Sequence, residues 1–398
     1  MPIAMQSANL SQQFAKQLIR WHATEGRHGL PWQGIRDPYA VWISEIMLQQ
    51  TQVATVLERY PKMMKRFPTI TQLANARIDD VLAEWSGLGY YSRARNLHAC
   101  AIQIMTKHGG QFPSDPDLLE QLSGIGKSTA GAIAAFAFHR RAPILDANVK
   151  RVLARLFGIT DALQEKVVTD RLWAIATDLL PQTSKDMPVY TQALMDFGAT
   201  WCTAKSPVCI TKKAKCPFEQ WCKAKSNDQV LAIPKKIVKI KSPQFQCHVG
   251  LLVYQNQVLL QKRPVNAIWG GLWSLPESVW EEANLTKGPS IIESPSAIHL
   301  LLKVLPDYFG KGSTFPKRCN VQYGKRFKHI FSHRILYIQP FVVQLNRTAK
   351  HAIDDALQSD LASFVWADLD SLNQYGLPQP IKQLLQGLNP VRDGVAID

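Results

Sequence analysis

The sequence predicts a chain of two unlike halves, an all-α N-terminal part and an α+β C-terminal part. Apolar residues recur at helical spacing through about residue 225, whereas from Gln244 the pattern changes to strand runs. A lysine-rich stretch, 226–243, lies between them. At 398 residues the chain is long enough for two or three domains, each burying its own core. Forty-six Lys and Arg against thirty-one Asp and Glu give a formal charge of +15, which favours a polyanionic partner, although such a balance can serve solubility alone. The first thirty residues lack a basic segment followed by an apolar one, and the longest apolar run, around 130–138, is too short to span a bilayer. The expectation is a cytoplasmic, nucleoid-associated monomer without a membrane partner. In that compartment the seven cysteines are reduced or bound to metal.

In order, Phe14, Leu18, Ile19 and Trp21 mark a first amphipathic helix, ended by Gly26 and Gly29. Asp37-Pro38 is a cap and first-turn pair, opening a helix that carries Val41, Trp42, Glu45, Leu48, Gln50 and Thr51. Further helices are predicted over 72–84, 92–108, 117–122, 165–180 and 189–200. Between 121 and 155 lies the densest signal. Gly124-Ile-Gly126-Lys127-Ser128 is a glycine turn, a small-residue helix runs from it to about Phe138, and Asp146 stands where a helix from Ala147 to Phe157 begins. Both glycines allow positive φ and close approach of another chain, and the free N–H groups of the following helix favour an anion. The spacing is too short for a nucleotide phosphate loop. It suits a hairpin gripping a DNA phosphate without reading sequence, or an ordinary helix connection. In the second half, Val249–Tyr254, a Gln255-Asn256 turn and Val258–Lys262 read as a hairpin. Residues 335–345 read as a strand, and 296–304, 351–358 and 380–387 as helices. No internal repeat is present.

Two carboxylates and four thiols carry chemical signals. Glu45 shares a helix face with Val41, Trp42 and Leu48, where burial would raise its pKa and keep it protonated as a general acid; a surface Glu on a misphased helix is the alternative. Asp146 is a natural N-cap. At a groove rim the helix N-terminus would hold it ionised, and one neutral with one charged acid is the pairing used to break glycosidic bonds. Cys202, Cys209, Cys216 and Cys222 follow the pattern Cys-x6-Cys-x6-Cys-x5-Cys. Such density points to zinc or an iron–sulfur cube; the absence of Cys-x2-Cys pairs places the cluster ahead.

Taken together, residues 30–53 (LPWQGIRDPYAVWISEIMLQQTQV), 87–98 (GLGYYSRARNLH), 122–133 (LSGIGKSTAGAI), 143–155 (PILDANVKRVLAR), 195–202 (MDFGATWC) and 328–335 (KHIFSHRI) resemble the MutY family of adenine DNA glycosylases, within the helix–hairpin–helix superfamily of endonuclease III. The resemblance runs through nearly the whole chain. It implies an all-α helix–hairpin–helix glycosylase domain over 1–225, with a six-helix lobe at about 30–138 and a [4Fe–4S] lobe formed by 1–29 and 139–225. A basic linker at 226–243 and an α+β Nudix-like domain at 244–390 would follow. By the same resemblance Glu45 is the acid that protonates adenine N7, and Asp146 stabilises the sugar oxocarbenium ion or transiently bonds to it. Asn148 is the neighbouring active-site asparagine. Gln50 and Tyr90 wedge into the duplex; Gly124, Gly126, Lys127 and Ser128 form the DNA-gripping hairpin. The four cysteines hold the cluster, and Phe331, Ser332 and His333 sense 8-oxoguanine.

Ser128 stands where bifunctional relatives carry a Schiff-base Lys, and a hydroxyl cannot form that imine. A monofunctional enzyme acting on adenine opposite 8-oxoguanine or guanine in double-stranded DNA is therefore expected. The rival readings are a glycosylase/lyase for oxidised pyrimidines and a non-catalytic lesion binder. Three departures from the family pattern stand out. Six residues separate the second and third cysteines, Ser123 replaces a Pro before the hairpin, and after Gly271 and Glu277 the metal-binding remainder of a Nudix box is missing. The second half is accordingly read as a recognition module, with Glu281-Glu282 a solvated pair.

Overall fold

The computed structural model describes residues 3–211, 214–235, 242–283, 297–309, 319–331, 333–391 and 394–397. Its helical part comprises α1 (Ile3–Glu25), α2 (Pro38–Leu48), α3 (Val53–Arg66), α4 (Ile70–Ala74), α5 (Ile78–Glu84), α6 (Ser92–His108), α7 (Pro116–Glu120), α8 (Lys127–Phe138), α9 (Ala147–Phe157), α10 (Lys166–Asp178), α11 (Met187–Asp196) and the one-turn α12 (Val208–Thr211) and α13 (Lys223–Ser226). There follow β1 (Gln244–Tyr254), β2 (Gln257–Lys262), β3 (Trp273–Ser274), β4 (Glu281–Glu282), α14 (Ala297–Val304), β5 (Asn320–Tyr323), β6 (Phe327–Ile330), β7 (Ile335–Gln344), α15 (Arg347–Leu357), β8 (Phe364–Asp368), α16 (Gln379–Gln386), β9 (Leu388–Val391) and β10 (Gly394–Ile397).

Local chemistry accounts for the helix starts. Asp37 accepts from the amides of Tyr39 and Ala40, with Pro38 at the first helical position of α2. The helix then stops at Leu48 rather than running to Thr51, because Gln50 takes φ 54, outside the right-handed region. The helix predicted over 72–84 is two helices, α4 and α5, separated where Arg77 turns extended as the N-cap of α5. Helix α3 buries Val56, Tyr60 and Met63 at helical spacing, but Pro61 within it masks the signal in the sequence.

The chain packs into two compact units: 1–76 with 95–239, and 77–94 with 240–398. Residues 77–94 thus pack with the C-terminal half, whereas the sequence expectation placed them in the six-helix lobe. In the first unit a core joins Leu18 of α1, Val149 and Leu153 of α9, Leu172 of α10, Tyr190 of α11 and Phe218. The second unit is built on a mixed sheet. Its order is β3-β2-β1-β7-β5, with β4 also on β1, β6 on β7 and β8 on β2. Strands β1 and β2 form the predicted hairpin, Val253 opposite Val258, with Gln255 at φ 52 in the turn. Strand β1 also runs parallel to β7, from Gln244 opposite Ile335 to Val253 opposite Gln344. Both faces of the sheet are covered. Leu251 packs towards Ile381 and Leu385 of α16, Leu252 towards Leu300 of α14 and Ile353 of α15. Two-sided burial explains the continuous apolar run of β1.

Candidate active site

In the first unit, Glu45 projects from α2 into the wall of a cavity of about 570 Å³ that also takes in Trp32, Val41, Phe136 and Gln192. Burial, with the charge of Asp146 adding to it, pushes the Glu45 carboxyl up to about 8. Val41 shares this wall as the helix spacing predicted, whereas Trp42 points into the core against Tyr39 and Phe112. Asp146 caps α9, accepting from the Val149 amide at 2.7 Å. Burial raises its pKa against the opposing pull of the Val149 and Asn148 amides and Arg151, so the helix N-terminus offsets desolvation rather than overriding it. The cavity wall includes neither Asp146 nor Asn148, but the repulsion felt by Glu45 puts the two carboxyls within electrostatic reach.

Asn148 sits against Gly198, where a Cβ would come within 2.8 Å of the Asn148 Cβ. Its side-chain oxygen accepts from Arg151 at 2.9 Å, and Arg151 also donates to the carbonyls of Gly198 and Cys202. One turn on, the fully buried Arg155 donates to the carbonyls of Cys202, Thr203, Ala204 and Ile233 and to the Cys202 sulfur at 3.4 Å. Helix α9 therefore carries the acid at one end and grips the cysteine loop along its length.

Cys202, Cys209, Cys216 and Cys222 all line one enclosed cavity, otherwise walled largely by Val152, Leu156, Phe197 and Phe218, with Arg155 and Lys225 beside it. Burial raises the thiols of Cys209 and Cys222 and pushes Cys216 up to about 12, and the cysteines raise one another further by repulsion. Four sulfurs lining one cavity are a donor set that fits an iron–sulfur cluster. Among the described residues no group of three or more His, Cys, Asp or Glu side chains is placed to hold a metal ion.

The hairpin lies between α7 and α8. Gly124 takes φ +77, and a Cβ there would strike the Asn96 side chain at 2.7 Å. Gly126 instead is extended at φ −92, with open space where a Cβ would stand, so it does not use the positive φ expected of it. Lys127 is exposed, its ammonium 4.6 Å over the Trp173 ring. Ser128 turns inward, its hydroxyl accepting from the Leu145 amide at 3.0 Å beside Asp146. Gln50 and Tyr90, in different units, are both exposed and both in left-handed backbone, φ 54 and φ 46. Such strain in non-glycine residues is typical of working sites.

In the second unit Phe331 packs into an aromatic group with Trp269, Trp280 and His329, with His333 at 6.3 Å between ring centres. Ser332 lies outside the described residues. Glu277 is ion-paired with Arg263 at 2.7 Å and accepts from the Trp280 indole, and Glu281 and Glu282 are exposed.

Several residues escaped the sequence reading. Asp196 is fully buried and accepts from His22, Gln192 and both the backbone and side chain of Arg27. Burial opposes its ionisation, but these bonds outweigh it and its pKa is lowered. The network fixes the end of α1 and the loop after it as cavity wall, together with Trp32 and Gln192. A lone acid within the apolar run ALMDFGA was the available signal.

The HhH-GPD superfamily of base excision DNA repair proteins matches residues 43–177, and the NUDIX domain family matches 248–387. An adenine DNA glycosylase of Buchnera aphidicola subsp. Baizongia pistaciae is 35% identical over 375 residues, 94% of this chain and 95% of its own. One from Arabidopsis thaliana is 31% identical, over 95% of this chain and 64% of its own. The solved structure of a thermostable thymine-DNA glycosylase superposes with a TM-score of 0.50 at 26% identity, covering 57% of this chain and all of that one. Matched to the Buchnera aphidicola protein along almost the full length of both, and to the HhH-GPD and NUDIX families in its two halves, the chain belongs to the adenine DNA glycosylase family.

Proposed function

We propose that the chain hydrolyses the N-glycosidic bond of adenine standing opposite 8-oxoguanine or guanine in double-stranded DNA, as a monofunctional enzyme of base excision repair. The observation that carries this reading is Glu45, an acid held near pKa 8 on the wall of a cavity. Adenine inside a duplex is out of reach, so it is flipped out of the stack; Trp32 and Phe136 offer it aromatic walls. The amide nitrogen of Gln192 is held by Asp196, which leaves its oxygen to accept from an amino group. Glu45 gives its proton to adenine N7, and the C1′–N9 bond breaks with its electrons passing to the base. Asp146 stabilises the positive sugar that remains. The Glu45 carboxylate then takes a proton from the water that attacks C1′, which restores the acid. Asn148, anchored through Arg151, completes the group. The inward-turned Ser128 hydroxyl supports hydrolysis rather than imine chemistry.

Cys202, Cys209, Cys216 and Cys222 would hold a [4Fe–4S] cluster, which when bound supplies a structural cross-link for the loop that Arg151 and Arg155 grip. Gly124, Gly126 and Lys127 would bear on the DNA backbone, and Gln50 and Tyr90 on the base stack. Phe331, Ser332 and His333 would sense the proton that 8-oxoguanine carries at N7, a position that only accepts in guanine. The pairing of Glu277 with Arg263 supports recognition rather than hydrolysis in this half.

Single-turnover assays on 8-oxoG:A, G:A, T:A and thymine glycol:A duplexes test the reading. Strand breaks are expected from the first two and only after alkali; product from the thymine glycol duplex alone overturns it. Iron analysis should return about four irons per chain. Stoichiometric zinc without iron in anaerobically purified protein overturns the cluster.

A further inference from the structure

Tyr90 is the exposed tip of a tightly built loop. Gly87, Gly89 and Tyr90 take φ of 94, 68 and 46. The Trp85 indole donates to the Gly89 carbonyl at 3.1 Å. Arg93 donates to the carbonyls of Leu88 and Gly89 and lies over the rings of both Trp85 and Tyr90. The loop and α5 before it pack as part of the C-terminal unit. Three contacts among the described residues contribute to that attachment. The Tyr91 hydroxyl donates to the Leu377 carbonyl at 3.1 Å in a buried setting. The Lys262 ammonium, at the end of β2, meets the Asp79 carboxylate of α5 at 2.8 Å, each about 70% shielded. Gly376 lies so close to Leu82 that a Cβ would stand 3.0 Å from its backbone carbon.

We propose that the Nudix-like unit positions Tyr90 through Tyr91, Asp79 and Lys262, so that it sets the wedge as well as sensing the opposite base. This rests on the reading of Tyr90 as a residue that enters the base stack. A side chain driven between bases needs a rigid base under it, and the loop's internal bonds make it stiff without fixing where it stands. The Tyr91 bond and the Asp79–Lys262 pair supply that second constraint, on either side of the loop. Tyr91, Asp79 and Lys262 are positioning residues; none needs to touch DNA.

The test uses the full chain in two forms. In a Glu45→Gln background, which leaves the adenine in place, a 2-aminopurine beside a G:A mispair reports unstacking by its rise in fluorescence. With Glu45 present, single-turnover release from the same duplex is timed. Asp79→Lys and Lys262→Asp should each reduce both signals about two- to five-fold, as for a partly shielded pair. The double exchange Asp79→Lys/Lys262→Asp should restore them, a recovery that general loosening of the fold would not produce. Tyr91→Phe should reduce both about two- to ten-fold with the thermal transition little moved. Tyr90→Ala, the reference, should abolish the fluorescence rise. If Tyr90→Ala fails while Tyr91→Phe and both charge variants match wild type, or if the double exchange is no better than its worse single, the anchoring proposal is wrong and the wedge reading stands. If Tyr90→Ala itself behaves as wild type, the wedge reading falls and this proposal falls with it.

Discussion

Glu45 and Glu277 occupy comparable settings in the two units and have opposite fates. Each is a largely enclosed glutamate beside aromatic or branched side chains, Glu45 with Val41 and Trp32, Glu277 with Trp280. Among the described residues Glu45 makes no ion pair, and burial reinforced by Asp146 drives it to about 8. Glu277 has Arg263 at 2.7 Å, whose Nε also donates to the Ile268 carbonyl and whose guanidinium lies over Trp269. An acid left without a cation must keep its proton, which suits it to give the proton away. An acid given a cation becomes a rivet, here fastening the loop that carries Trp269 under Phe331. One residue type thus serves the proposed chemistry in one unit and architecture in the other, and the presence of a single arginine separates them.

The comparison breaks most sharply at Glu45. Glu45→Gln should lower adenine release by about 10²- to 10⁴-fold, the contribution of a positioned general acid, while mispaired duplex is still bound. Single-turnover release beside a binding titration checks it, and turnover like wild type would remove Glu45 from the reaction. For Glu277 the corresponding loss is one of stability. Arg263→Met leaves a buried carboxylate unpaired and should cost about 3 kcal/mol, with part recovered in Arg263→Met/Glu277→Gln. Thermal unfolding of the three proteins decides this; equal midpoints would show that the pair is not a rivet.

A pH series sharpens the contrast. Between the ordinary glutamate value of 4.5 and about 8, the folded chain keeps the Glu45 proton that the unfolded chain releases. Stability contributed by this group is therefore fully present below 4.5 and lost as pH rises through 8, a slope that Glu45→Gln lacks. The difference in melting temperature between Glu45→Gln and wild type should accordingly grow across that window, and the wild-type release rate should fall above about pH 8. A flat difference and a rate constant to pH 9 would place the Glu45 pKa elsewhere. The smallest effect is expected at Ser332, where Ser332→Ala should reduce the proposed preference for 8-oxoG:A over G:A about two- to twelve-fold, the worth of one hydrogen bond. That ratio is to be measured at one fixed salt concentration, since phosphate contacts make affinity salt-dependent.

What the sequence determined by itself is local. Asp37-Pro38 and Asp146 announce helix starts because a side chain need reach only two or three residues to satisfy a free amide. Gly124 announces its turn because no other residue takes positive φ so readily, and the Gln255-Asn256 hairpin follows from a polar pair set between two apolar runs. The four thiols were legible from their crowding alone. Tertiary structure decided what depends on sums over distant groups. The burial that raises the Glu45 pKa was signalled by the apolar residues of its own helix, but the second cause, the carboxylate of Asp146 at the start of α9, leaves no mark on the residues next to Glu45. The cavity is assembled from α1, the loop after it, α2, α8 and α11, so Gln192 and Asp196 gain their meaning only when those elements meet. The same holds for residues 77–94. Their sequence reads as another helix and turn of the first half, but Asp79 finds Lys262 and Tyr91 finds Leu377 across intervals that no local pattern spans, and those contacts assign the Tyr90 loop to the C-terminal unit.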